Sequence, residues 1–178
     1  HSETDTAPYP GPNEEVLEAQ ARICTGPHQS RPLGLKPSDP RPDAVLEWIL
    51  ETARGALPRD RRVSQAQMGA FFAAMTLRKG FPERTNWSEV EVEAFEKYRP
   101  DLDRLLPPDI QFLIDPDRGY VAANPEERTV VDALEKILKG WHLTYGETRA
   151  MGEAILNGRV KASLKAAALI GQRMNRET

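Results

Sequence analysis

The hydrophobic residues between 44 and 178 recur at the three- and four-residue spacing of amphipathic helices. Each run presents one apolar stripe, which a soluble protein buries against a neighbouring element. The pattern therefore predicts an all-α protein, a small bundle of about six helices. The six runs lie at about 44–54, 64–80, 88–99, 124–140, 144–157 and 161–174.

Polar residues at the ends of these runs predict where the helices begin. Three runs open with a capping box, in which a Ser or Thr and a Glu or Gln three residues later bond each other's backbone: Ser64–Gln67, Ser88–Glu91 and Thr144–Glu147. Asn124 is the expected N-cap of a fourth helix, with Pro125 in its first position. Asp43 is the expected N-cap of the first helix, and Pro100 is expected to end the third.

The chain divides into three segments by composition. Residues 1–43 are rich in proline and predict an extended arm that either wraps the body or is partly disordered, interrupted by a helical turn or two between Asn13 and Cys24. Residues 44–128 form a helical region. Two short apolar runs flank a Pro- and Gly-bearing turn there, so a short β-hairpin near 110–122 is an alternative to helix. Residues 129–178 form the last segment.

Net charge and cysteine content exclude some kinds of partner and indicate the cellular compartment. The formal net charge of the 178 residues is −3, which does not favour nucleic-acid binding. No run of about 18 apolar residues predicts a membrane span, and the first residues lack the order of a secretory signal. Cys24 is the single cysteine, so an intrachain disulfide and a multi-thiolate zinc site are excluded. We expect a cytoplasmic protein.

Residues 134–178 carry an ordered series of short motifs. Leu-x-x-Ile-Leu-x-Gly begins at Leu134, and Leu143-Thr144-x-x-Glu147 leads to Ile155-Leu156-x-Gly158 and an Ala-rich helix. The series ends at Arg173-Met174-Asn175-Arg176-Glu177-Thr178. This order resembles the N-terminal helical domain of the anthranilate phosphoribosyltransferase and nucleoside phosphorylase family, glycosyltransferase family 3, over about residues 129–178.

The resemblance implies a homodimer in which these helices form the dimer interface and one wall of the substrate cleft. The candidate interface residues are Leu134, Ile137, Leu138, Trp141, Met151 and Ile155. An intact family member implies Mg²⁺ and phosphoribosyl pyrophosphate, held against a Gly-Thr-Gly-Gly-Asp loop. This sequence contains no such loop, so we expect it beyond Thr178, and we predict that the chain alone is an inactive fragment with no bound cofactor. The alternative is a stand-alone helical interaction module whose arm binds a protein partner.

Several charged and aromatic residues are of types that can form binding sites. Two Asp-x-Asp pairs, at 101–103 and 115–117, could each offer two carboxylates to Mg²⁺, but turn formation explains them better. Structural or solvated roles are likewise the better explanation for the histidines, a local arginine cluster and the tryptophans: His28, His142, Arg54, Arg59, Arg61, Arg62, Trp48, Trp87 and Trp141. We predict no catalytic residue and no metal ligand. Whether residues 63–77 and 160–174 are an internal repeat, offset by 97 positions, stays open.

Overall fold

The computed structural model describes residues 13–176, and this part of the chain contains helices and no strand. The all-α prediction is therefore confirmed. The described residues form eight α-helices: α1 (Glu14–Ile23), α2 (Pro42–Ala53), α3 (Gln65–Arg78), α4 (Glu89–Leu105), α5 (Pro108–Ile114), α6 (Pro125–Leu138), α7 (Tyr145–Leu156) and α8 (Ala162–Arg176). Two short 3₁₀ turns lie between these helices: Arg59–Arg61 connects α2 to α3, and Pro116–Arg118 connects α5 to α6.

Helix α3 is the centre of the bundle. Every residue from Gln67 to Arg78 is buried, because α1, α5, α6 and α8 all pack around it. Helix α2 packs against α4, and α7 packs mainly against α6. The closest helix pair is α3 and α8, where Gly69 faces the backbone of Ser163. A Cβ atom at Gly69 would lie 2.1 Å from the Ser163 carbonyl oxygen, so a side chain there is excluded.

Four of the five predicted helix caps are confirmed. All three capping boxes form in both directions, and the Asn124 side chain accepts a hydrogen bond from the backbone N–H of Glu127 at 2.9 Å. The expected cap at Asp43 is wrong. Helix α2 starts earlier, with Arg41 as N-cap and Pro42 in the first turn, where the fixed φ of proline suits the helix.

The expected end at Pro100 is also wrong, since α4 continues to Leu105 with this proline inside it. A proline inside a helix removes one backbone hydrogen bond and usually kinks or ends it. Here Tyr98 and Leu102, on either side of Pro100, are both buried and keep the helix face on the core. The Gln111 side chain also donates to the carbonyl oxygen of Leu102 at the C-terminal turn.

The hairpin alternative near 110–122 does not form. The first apolar run is α5, with Ile110, Phe112, Leu113 and Ile114 all buried, and the turn after it is a 3₁₀ helix. A continuous apolar run of this length fits a buried strand or a buried helix equally well, so periodicity alone could not choose between them. Packing of the short helix against α3 decides the conformation.

The described part of the arm packs tightly on the body. Helix α1 has ten residues, more than the turn or two expected, and buries Val16, Ala19 and Ile23. Asn13 and Gln67 exchange hydrogen bonds between backbone and side chain at 3.2 and 3.1 Å, which fixes the start of α1 to α3. The proline stretch before Asn13 lies outside the described residues.

One hydrophobic core joins the three segments of the sequence. Val16 from the arm, Phe72 from the middle segment and Leu134 from the last segment belong to the same buried cluster. Within residues 13–176, no helix combines the length and the apolar character that crossing a membrane requires.

Candidate functional site

A cleft of about 640 Å³ opens at one end of the bundle, where α3, α5 and α6 end. Asn175, near the end of α8, completes its lining. Helix C-termini carry partial negative charge, which favours cationic side chains nearby. The polar residues that line the cleft are Thr76, Lys79, Asp115, Asp117, Lys139 and Asn175.

Lys79 lies at the C-terminus of α3, with its ammonium nitrogen 5.2 Å from the ring centroid of Trp87. Partial desolvation lowers the pKa of the Lys79 amine, the charge of Arg99 lowers it further, and the charge of Asp115 opposes both. The side chain as a whole is still exposed. An accessible amine that is less basic than an ordinary lysine therefore faces the cleft.

On the opposite side of the cleft, the positive charge of Lys139 is balanced by the carboxylate of Asp117. The Lys139 ammonium lies 3.6 Å from the Asp117 carboxylate and 5.6 Å from the ring centroid of Trp141. The Asn175 side chain donates to the Trp141 carbonyl oxygen at 2.7 Å, which ties the end of α8 to the loop after α6. Charges of both signs make the cleft suitable for a small polar ligand.

Most of the predicted dimer-interface residues lie inside the monomer. Leu134, Ile137, Leu138 and Met151 are buried where α6 meets its neighbours, so they offer no surface to a second copy. Trp141 is 59% exposed and Ile155 is partly exposed. The periodicity identified a genuine apolar stripe, but it could not tell which partner covers that stripe.

The outer face of α7 is open to solvent and carries two large exposed hydrophobic side chains. Tyr145 and Leu156 are 82% and 85% exposed, one at each end of the helix. Between them, Arg149 and Glu153 form an exposed ion pair at 3.2 Å. Gly152 also lies on this side, and a Cβ atom there would meet nothing within 4 Å. This set of residues is called the α7 face below.

The carboxylates of both Asp-x-Asp pairs contact other described residues of the protein. The Asp101 carboxylate forms ion pairs with Arg54 and Arg104, and the Asp103 carboxylate forms an ion pair with Arg118. The Asp115 carboxylate accepts a hydrogen bond from the backbone of Asp117 at 3.2 Å, as an N-cap does. Across residues 13–176, no three or more His, Cys, Asp or Glu side chains are grouped to hold a metal ion.

The remaining candidates are dispersed over the surface. His28 and His142 are both exposed and lie on different loops. The predicted arginine cluster is split, because Arg54 pairs with acidic residues whereas the Arg61 guanidinium stacks 5.1 Å from the Trp48 ring centroid. The other two tryptophans lie beside lysines that line the cleft: Trp87 packs on Phe95 and lies under Lys79, and Trp141 lies under Lys139.

A fully buried ion pair was missed by sequence reasoning. Arg78 lies in the last turn of α3, where any cationic side chain complements the partial negative charge of the helix C-terminus. Both it and Glu91 have no exposed side-chain surface, and the guanidinium meets the carboxylate at 2.6 and 2.9 Å. One signal was available, because Glu91 is the third residue of a predicted helix and its capping role already placed it against the backbone of Ser88.

Comparisons with models of protein families, with curated proteins and with solved structures found no match to this chain.

Proposed function

We propose that the chain is the non-catalytic, helical dimerisation and cleft-wall region of a phosphoribosyltransferase-like glycosyltransferase. The observation that carries this proposal is the agreement between the motif series and the helices. The Leu-Thr motif opens α7, Gly158 follows α7 with a positive φ of 85°, and the Ala-rich stretch becomes α8. Small residues allow α8 to lie against α3 at the centre of the bundle.

The chain's own residues do not fit the cofactors of the intact family. The sequence has no glycine-rich loop that could present several backbone N–H groups to a phosphate. The described residues also lack a carboxylate cluster for Mg²⁺. No chemical step is therefore assigned to this chain. Its role is to hold two copies together and to close one side of a ligand cleft.

The α7 face is suited to a two-fold dimer because it complements itself. In an antiparallel pair of α7 helices, Tyr145 of one copy would lie opposite Leu156 of the other. The same register would bring Arg149 of one copy near Glu153 of the other, and Gly152 would let the two backbones approach. An interface of this kind uses one patch twice, as a two-fold axis requires. Trp141 and Ile155 of the original set could extend it.

The cleft-wall part of the proposed function concerns the C-terminal end of α8, where the cleft lies. Asn175 lines the cleft one residue before α8 ends. A catalytic domain that followed Thr178 would be joined beside this cleft, and Lys79 would face that domain. The cleft would then be covered on its open side.

The oligomeric state tests the dimer through sedimentation equilibrium over a range of concentrations. We expect the unmodified chain to dimerise, and Leu156→Glu to raise the dimer Kd about a hundredfold, since burying an unpaired carboxylate costs roughly 3 kcal/mol or more. Val121→Glu is the matched control, because Val121 is 91% exposed and lies outside α7. A monomer at all concentrations, or equal losses in both variants, would contradict the α7 interface.

The second candidate function is a stand-alone interaction module. It is favoured by the same open α7 face, which a different protein could cover instead of a second copy. The described part of the arm packs on α3, so the α7 face is the better partner surface. The intact mass of the native gene product separates the two functions: a longer product with a glycine-rich loop supports the transferase, and one ending at Thr178 supports the module.

A further inference from the structure

A second, smaller groove runs between α1 and α8, on a different surface from the cleft. It has a volume of about 360 Å³, and Ala70 of α3 forms its floor. Leu17 and Ala21 line it on the α1 side, and Ile170 lines it on the α8 side. Leu17 is 47% exposed although it belongs to an otherwise well-packed helix. The body of this groove is therefore apolar and open to solvent.

The polar lining of the groove contains a hydroxyl group with an unmet bonding requirement. Thr25 Oγ1 is buried and has no hydrogen-bond partner within residues 13–176. A buried hydroxyl without a partner costs about 1–3 kcal/mol, which most proteins avoid. The Thr25 hydroxyl is therefore a polar group whose hydrogen-bonding capacity the described residues leave unused.

The guanidinium group of Arg173, which has no carboxylate partner among the described residues, lines the same groove. Arg173 of α8 is exposed, and it enters no hydrogen bond or ion pair with the other described residues. Its charge reaches the thiol of Cys24: burial raises the pKa of that thiol to about 12, and Arg173 acts in the opposite direction. Arg173 and the Cys24–Thr25 turn are thus neighbours, so a positive charge lies close to the unsatisfied hydroxyl.

We propose that this groove binds a small carboxylate with an aliphatic chain, the carboxylate held by Arg173 and Thr25 and the chain covered by Leu17 and Ile170. A guanidinium pairs well with a carboxylate, and the hydroxyl can donate to the same group. The volume lies at the lower end of the range for small-molecule sites. Inorganic phosphate would satisfy the charge but leave the apolar part of the groove unfilled, so it fits less well.

Titration calorimetry with octanoate, below its micelle concentration, tests the site. We expect octanoate to bind the unmodified protein, and octanamide, which lacks the charge, to bind at least tenfold more weakly. Arg173→Gln should weaken octanoate binding about tenfold, the effect of 1.4 kcal/mol. Arg104→Gln, which removes an exposed arginine from α4, outside both the groove and the α7 face, is the matched control and should leave the affinity unchanged.

A second variant separates binding from a purely structural role. Thr25→Val removes the unsatisfied hydroxyl, so it should raise the stability of the free protein while weakening octanoate binding severalfold. Octanoate should also slow alkylation of Cys24, which lines the groove. The proposal is overturned if the unmodified protein does not bind octanoate at millimolar concentration. It is also overturned if Arg173→Gln binds octanoate as tightly as the unmodified protein does and the unmodified protein binds octanamide as tightly as octanoate.

The site stands independently of the proposed dimer. Leu156→Glu lies on α7, outside the groove, and should keep full octanoate affinity even when it abolishes the dimer. Loss of the dimer with retained binding would leave the groove assignment intact, and the reverse result would leave the dimer intact.

Discussion

At the scale of single residues, the buried pair of Arg78 and Glu91 is the most demanding feature of the chain. Removing two charges from water is costly, and the cost is offset only when every polar atom is bonded. The Arg78 guanidinium meets this condition, because it also donates to the carbonyl oxygens of Thr85 at 3.0 Å and Asn86 at 2.9 Å. The pair thereby fixes the loop between α3 and α4, including the start of α4 at Ser88.

The two members of this pair should be strongly coupled, because removing one leaves the other as an unpaired buried charge. Arg78→Met leaves the Glu91 carboxylate buried without a counter-charge, and we expect the free energy of unfolding to fall by about 3–5 kcal/mol. Arg78→Met combined with Glu91→Leu should lose less than the sum of the single changes. Urea denaturation measures all three.

The exposed ion pair of Arg149 and Glu153 on α7 is the surface reference for the buried pair. Arg149→Met breaks the ion pair with Glu153 at the surface, and we expect a change within about 1 kcal/mol. Equal losses for Arg78→Met and Arg149→Met would mean that the buried pair contributes no more than a surface pair.

At the scale of helices, the contact between α3 and α8 depends on a single missing side chain. Gly69 lies against the backbone of Ser163, and the Ser163 hydroxyl donates to the buried carboxylate of Asp109 in α5. Three helices therefore meet at one point. Nothing in the spacing of apolar residues marks this glycine as different from the other helical glycines, because the constraint comes from a helix almost a hundred residues away.

Alanine substitution at two helical glycines should give opposite results. Gly69→Ala places a methyl group 2.1 Å from a backbone oxygen, so α3 and α8 must separate, and we expect a loss of about 1–3 kcal/mol or more. Gly152→Ala meets open space on α7 and should stabilise the monomer by up to about 1 kcal/mol through helix propensity. Thermal unfolding at low protein concentration compares them. A Gly69→Ala protein as stable as the original would refute the close crossing.

At the scale of the whole molecule, one core draws on all three sequence segments. The segment boundaries at residues 43 and 128 mark changes in composition, whereas the buried cluster runs across both. The packing of α3 against α8 is the most extensive contact between the middle segment and the last one. Segments that share a core in this way are expected to unfold together.

Single-tryptophan variants can test this cooperativity. Trp87 reports on the middle segment and Trp141 on the last one, and replacing the other tryptophans by Phe leaves one reporter at a time. We expect the two emission changes and the loss of helical circular dichroism to share one urea midpoint. Separate midpoints for Trp87 and Trp141 would show that the segments are independent units.

The candidate sites were less accessible to sequence reasoning than the helices. The predicted interface set was drawn from one apolar stripe, and four of its six members serve the core. The α7 face escaped notice because Tyr145 and Leu156 lie outside that stripe. The cleft around Lys79 and the groove beside Arg173 each combine residues from three or more separate parts of the chain. No local pattern brings such residues together.

The sequence by itself determined that the protein is helical, and it determined most of the helix starts. Capping boxes and apolar periodicity act over three to seven residues, so they can be read directly from neighbouring positions. Tertiary structure alone decided that α4 passes through Pro100, that residues 108–114 are helix, and that α1 lies on α3. In each case burial against a distant element outweighs the local preference, and that burial exists only once the chain has folded.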